Sequence, residues 1–314
     1  MKRALIALVL VAASVALIGA QAGMLQSYQK VSGVSGSLTS VGSDSMNNMM
    51  TLWAETYRKF YPSVKIQVEG KGSGTAPPAL IAGTSQFGPM SRQMKPAELD
   101  SFEAKRGYKP TELKTSYDAL AVYVNKDNPL EKLTLAQVDA IFSKTRRRGG
   151  KGGNNWGDLG LTGDWASRPV SIYGRNSASG TYGFFKEHVL KNGDYKDTVK
   201  EQPGSASVVQ GVTEDRFGIG YSGIGYRTSG VKVLALAEAD AFSSGSYDDV
   251  KSGKYPLWRF LYIYINKAPG KPLDPLVKEY LKLIFSKEGQ EVVVKDGYLP
   301  LPASIVAEEL KKLE

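Results

Sequence analysis

The sequence predicts an α/β protein of two lobes joined by two crossings of the chain, and three observations lead there. A short strand runs into a Ser/Thr/Gly loop and then a helix three separate times, near residues 38–46, 64–79 and 171–185. Two long, largely apolar stretches, residues 117–125 and 258–266, read as paired strands connecting the lobes. Cysteine is absent from the 314 residues, so the fold must hold itself together through its core, which a chain of this length can do. Strands alternating with helices point to mainly parallel sheets. Such sheets bind ligands beyond the carboxyl ends of their strands.

In chain order, Met1-Lys2-Arg3, the apolar run over residues 4–18 and Ala20-Gln21-Ala22 form the charged, hydrophobic and cleavage regions of a secretory signal peptide. The apolar run is too short for a membrane span. Residues 1–22 are therefore set aside, and 23–37, polar and rich in Gly and Ser, read as a flexible lead-in. With no Cys at the cleavage site, the exported product is expected to diffuse freely. Residues 38–41 form the first strand and end at Gly42-Ser43-Asp44-Ser45. The helix after them carries Met46, Met49, Met50, Trp53, Tyr57 and Phe60 at helical spacing up to Pro62. Residues 64–68 form the second strand and end at Gly70-Lys71-Gly72-Ser73-Gly74-Thr75. A short helix follows, with Pro77 or Pro78 in its first turn and Gly83 past its end. These elements give a first lobe over 38–117, a second over 118–261, and a return of the chain at 262–314 that completes the first. Residues 147–163, basic and rich in glycine, read as an exposed loop.

The third unit carries the most chemistry. Ser171-Ile172-Tyr173-Gly174-Arg175 is a strand, and Ser179-Gly180-Thr181 opens a helix. A helix start leaves N–H groups unpaired and carries partial positive charge. Hydroxyls beside it can donate to an anion, and glycine lets that anion come close. An arginine adds two parallel donors for phosphate or carboxylate. With the loops at 42–45 and 70–75, this makes a donor-lined cleft. The formal charge of +9 favours anions in general, while export argues against nucleic acid.

Other chemistries find little support in the residues. Lys71 precedes the loop glycines, the reverse of a P-loop. His188 is the one histidine and reads as an ordinary helix residue; without Cys or a second His, Cys/His metal sites and histidine-based triads are hard to build, and no cofactor is expected. Ser43 and Ser179 have no evident base.

At these residues the sequence resembles the phosphate-binding proteins of bacterial phosphate ABC transporters. The resemblance runs through Val41-Gly42-Ser43-Asp44-Ser45, Gly72-Ser73-Gly74-Thr75 and Gly88-Pro89-Met90-Ser91-Arg92. It continues through Gly174-Arg175 with Ser179-Gly180-Thr181, then Gly218-Ile219-Gly220-Tyr221 and Gly297-Tyr298-Leu299-Pro300-Leu301. It implies a monomeric, periplasmic, type II-like two-lobe binding protein that closes on inorganic phosphate and delivers it to a membrane permease. It is a binding role, not an enzyme. The implied ligand groups fall on Ser43, Asp44, Ser45, Ser73, Ser91, Arg175, Ser179, Gly180 and Thr181. Some family members carry an aspartate where this chain has Ser91, and there it accepts phosphate's proton. Asp44 is then either the acceptor here or a cap for the helix that starts beside it. Sulfate as ligand, a phosphatase-like enzyme on the same cradle, and an adhesion protein using the basic loop remain the alternatives.

Overall fold

The computed structural model describes residues 25–314, so the expected signal peptide lies outside the described residues. The first unit begins with β1 (Ser37–Val41), which lies parallel to β2 (Lys65–Glu69), Leu38 opposite Ile66 and Ser40 opposite Val68. Between them a 3-10 turn at Asp44–Met46 leads into the helix Asn47–Phe60. That helix buries Met49, Met50, Trp53, Ala54 and Tyr57 on one face, because apolar residues three and four apart share a stripe. Met49 and Met50 each contribute about 1.5–3 kcal/mol on full burial. The Trp53 indole donates to the Gly289 carbonyl at 2.8 Å and ties this helix to the C-terminal part of the chain. The helix Ala76–Ala82 has proline in its first turn and ends on Gly83 at φ 75°, a left-handed position. β3 (Gly88–Met90) follows.

The remaining strands are β4 (Thr111–Asn125), β5 (Lys132–Thr134), β6 (Ser171–Arg175), β7 (Lys200–Gln202), β8 (Gly218–Gly223), β9 (Val231–Val233), β10 (Ala235–Ala237) and β11 (Trp258–Ile265). β4 organises them. From Thr111 to Ala119 it pairs antiparallel with β11, which also pairs with β3. From Leu120 it pairs with β8, and near its end with β9. β8 carries β6 in parallel, and β6 carries β7. One strand thus passes from one half of the molecule to the other, and β11 brings the chain back.

This arrangement corrects the expectation of mainly parallel sheets. The long strands that cross between the halves run out and back, so they must pair antiparallel; among the named strands of the described residues, parallel pairing joins β1 with β2, β5 with β10 and β6 with its neighbours β7 and β8. The expected lead-in touches the fold at Leu25, Tyr28 and Val34, while the rest of its described residues are exposed. Tyr28 is buried, its hydroxyl meets Tyr61 and donates to Glu279, each at 2.9 Å, and its N–H donates to Glu288. The basic loop is not wholly exposed either. Trp156 is fully buried edge-on against Trp165. The Arg148 side chain donates to the His188 and Val189 carbonyls and pairs with Glu238.

Candidate anion-binding site

The three Ser/Thr/Gly loops converge at the seam between the halves. Ser43 takes its place by donating its N–H to the Pro89 carbonyl at 2.7 Å. Ser45 is held from behind, because the Tyr298 hydroxyl donates to its carbonyl at 2.7 Å. Gly72 adopts φ +115°, and a Cβ there would sit 2.5 Å from the Ala178 carbonyl. Only glycine allows that approach. It brings Gly74 N–H to the same carbonyl at 3.0 Å, a backbone bond between the 70–75 loop and the loop after β6.

The side chains then meet. Ser45 Oγ lies 2.8 Å from Thr181 Oγ1 and Ser73 Oγ 3.2 Å from Ser91 Oγ. Thr181 reaches Ser91 at 3.3 Å, and Ser91 N–H donates to Ser73 Oγ. Gly180 closes this group: a Cβ there would fall 2.2 Å from Ser73 Oγ and 2.7 Å from Ser91 Oγ. Ser45, Ser73, Ser91 and Thr181 are all buried. Ser179 is the N-cap of the helix Gly180–His188, its Oγ accepting from Tyr182 N–H at 3.3 Å. That helix start points its free N–H groups and positive end toward the hydroxyls.

Arg175 ends β6 and is 1% exposed. Its Nη1 donates to Ser205 Oγ at 2.8 Å and its Nη2 to the Pro203 carbonyl at 3.1 Å, while its Nε has no partner among the described residues. Burial lowers the guanidinium's pKa, and the nearby Asp44 carboxylate opposes that. Even so it stays protonated. A buried cation with a donor to spare, beside a helix start and a cluster of hydroxyls, has the chemistry to receive a small dehydrated oxyanion.

The comparisons with known proteins agree with this chemistry. A family model described as a PBP superfamily domain matches residues 29–288. The phosphate-binding protein PstS of Pseudomonas aeruginosa is 57% identical over 319 residues, spanning 100% of this chain and 99% of the relative. This chain belongs to the PstS family of the PBP superfamily. A crystal structure of a possible phosphate-binding protein from Planctomyces limnophilus aligns at TM-score 0.63 with 26% identity, over 90% of this chain and 98% of that one. A putative phosphate ABC transporter substrate-binding protein with bound phosphate, from Clostridium perfringens, shares the fold at TM-score 0.72 and 24% identity, over 85% of this chain and 100% of that one. The fold is thus the two-lobe α/β fold of periplasmic binding proteins.

In this PstS-family chain, Asp44 does something the sequence did not suggest. It does not cap the helix beside it. Its Oδ2 accepts the N–H of Ser205 at 2.7 Å, the first residue of the helix Ser205–Glu214 on the opposite side, and lies 3.3 Å from Arg175 Nη1. Its carbonyl accepts from the Tyr226 hydroxyl at 2.8 Å. Asp44 therefore latches the two halves together.

Sequence reasoning also missed Ser205, Asp118 and Arg259. Arg259 donates to Asp118 at 2.8 Å, to the Ser91 carbonyl at 2.7 Å and to Thr181 Oγ1 at 3.0 Å. A signal was present: each of the two apolar stretches carries one charge, of opposite sign, and these strands were expected to pair. Beside the hydroxyl cluster a cleft of ≈ 860 Å³ opens, with Tyr182, Phe184, Trp258 and Tyr262 among its walls. Ser179 and Arg259 border both spaces.

Proposed function

We propose that this PstS-family protein captures inorganic phosphate between its lobes and delivers it to the permease of an ABC transporter. It works as a monomer in the periplasm, after export through the signal peptide over residues 1–22. The role is solute binding rather than catalysis. The lobes take in 38–117 with 262–314, and 118–261. Ser43, Asp44, Ser45, Ser73, Ser91, Arg175, Ser179, Gly180 and Thr181 form the phosphate site. Arg175 is the observation that carries this reading, because a buried guanidinium whose Nε–H has no partner among the described residues has a charged donor left to give an anion. The relatives named as phosphate-binding proteins support the choice of anion.

Thermal unfolding with phosphate, arsenate, sulfate and no added anion tests it. Phosphate and arsenate, alike in charge and shape, raise the melting temperature. At 100 times its dissociation constant, phosphate adds about 2.7 kcal/mol. Absence of any anion-dependent shift defeats the proposal, and an equal or larger shift with sulfate replaces phosphate by oxyanions in general.

A further inference from the structure

We infer that Arg259 is a positioning residue for the anion: it fixes the Thr181 hydroxyl as a donor toward the ligand. This rests on the phosphate reading above. Asp118 and Arg259 stand directly opposite each other on β4 and β11, one residue before β4 leaves β11 for β8. Both are buried, at 0% and 3% exposure. Asp118 Oδ2 takes Nε at 2.8 Å and Nη2 at 2.7 Å, which neutralises the guanidinium and fixes its plane. Asp118 Oδ1 accepts the Ile224 N–H at 3.1 Å, so the pair is anchored from the second half as well. The Phe184 ring covers Arg259 at 5.1 Å.

Two of its three remaining N–H groups serve the site. Nη1 goes to the Ser91 carbonyl at 2.7 Å, and Nη2 to Thr181 Oγ1 at 3.0 Å. Arginine has no acceptor, so in the second contact it always donates. Thr181 Oγ1 must accept there, so its single proton is left for the hydroxyls that line the site, Ser91 Oγ at 3.3 Å and Ser45 Oγ at 2.8 Å. Arg259 occupies one of the hydroxyl's two lone pairs; without it both are open, and the hydroxyl can turn a lone pair rather than its proton to the anion. Since Asp118 cancels its charge, Arg259 acts through hydrogen-bond direction rather than through net attraction.

A double-mutant cycle tests the inference, with phosphate dissociation constants from calorimetric titration. Arg259→Lys keeps a cation beside Asp118 but loses the fork that reaches Ser91 and Thr181 together. It weakens phosphate binding by roughly 10- to 100-fold in the wild-type background. In the Thr181→Val background, where no hydroxyl is left to orient, the same substitution costs less than about threefold. Equal losses in both backgrounds overturn the inference and leave Arg259 as scaffold. If circular dichroism shows Arg259→Lys misfolded, the neutral pair Asp118→Asn with Arg259→Gln carries the same cycle. A wild-type protein that gives no heat with phosphate defeats the functional reading itself, whereas wild-type binding with additive losses defeats only the role of Arg259.

Discussion

Two buried arginines flank the hydroxyl cluster, and they are satisfied to different degrees. Arg259, on the crossing strands, has Asp118 at 2.7 Å and further bonds to Ser91 and Thr181. Arg175, at the end of β6, has its carboxylate at 3.3 Å, and that carboxylate is itself 20% exposed and shared with the Ser205 N–H. Its Nε has no partner among the described residues. A fully compensated cation is structure, because its field ends at its counter-ion. An under-compensated one has attraction left for a ligand. On the proposed phosphate reading, the contrast assigns binding to Arg175 and arrangement to Arg259, although both are arginines at similar depth.

If that contrast holds, removing the counter-ions has unequal consequences. Asp118→Ala strands a buried guanidinium beside the crossing strands and destabilises the protein by about 3–5 kcal/mol. Asp44→Ala leaves Arg175 with Ser205 and Pro203 in a site made to accept an anion, and costs much less. Urea unfolding of both variants without phosphate measures the difference. Equal destabilisation would erase the distinction between the two arginines.

The binding side of the comparison is Arg175→Ala. The variant folds, since Arg175 has no bidentate ion pair to lose, and phosphate binding weakens by about 2–5 kcal/mol. Arg175→Lys also binds poorly, because a point charge cannot bond Ser205, Pro203 and an anion at once. Titration calorimetry decides, and near wild-type affinity in Arg175→Ala removes this residue from the site.

Asp44→Asn sharpens the picture further. Asparagine keeps an oxygen for the Ser205 N–H but no charge toward Arg175. If Asp44 also takes the proton that phosphate carries near neutral pH, the variant binds phosphate more weakly, by about 1 kcal/mol, and gains measurable sulfate binding. Should both anions bind more tightly instead, Asp44 is only a counter-charge to Arg175.

Much of this was legible in the sequence where local chemistry determines structure. The three strand–loop–helix units follow from apolar spacing, from Pro77 and Gly83 at the ends of a helix, and from hydroxyls at loop positions. The convergence of Ser45, Ser73, Ser91 and Thr181 was reached through resemblance. No single segment announces it, because the contacts span up to 136 residues. The bond from Asp44 to Ser205 was not legible, since spacing alone said only that a carboxylate before a helix caps that helix. Its partner lies 161 residues away and is set by how the halves meet. Trp156 misled for a related reason: a glycine-rich, basic neighbourhood signals exposure, while the indole itself is buried against Trp165.

The smallest effect extends the comparison to a carboxylate with no cation to satisfy it. Asp296 follows the helix Lys287–Lys295 at its negative end, and its Oδ2 is buried without a partner among the described residues. Its carbonyl lies against Gly225 of the second half, where a Cβ would meet it at 2.6 Å. Burial pushes its carboxyl up to about 7. A raised carboxyl pKa means the fold prefers the neutral acid, whereas the unfolded chain ionises near pH 4. The contribution is therefore fully present below pH 4 and is lost as pH rises from there through about 7. Asp296→Asn removes this dependence, because the amide is neutral throughout. The variant matches wild type at pH 4 and exceeds it at pH 8 by on the order of 1 kcal/mol, a figure reduced because the group is partly solvated. Urea unfolding at pH 4, 6 and 8 reads this directly. A stability difference that does not change with pH shows that Asp296 finds a partner in solution, and its carboxylate then belongs with the satisfied charges.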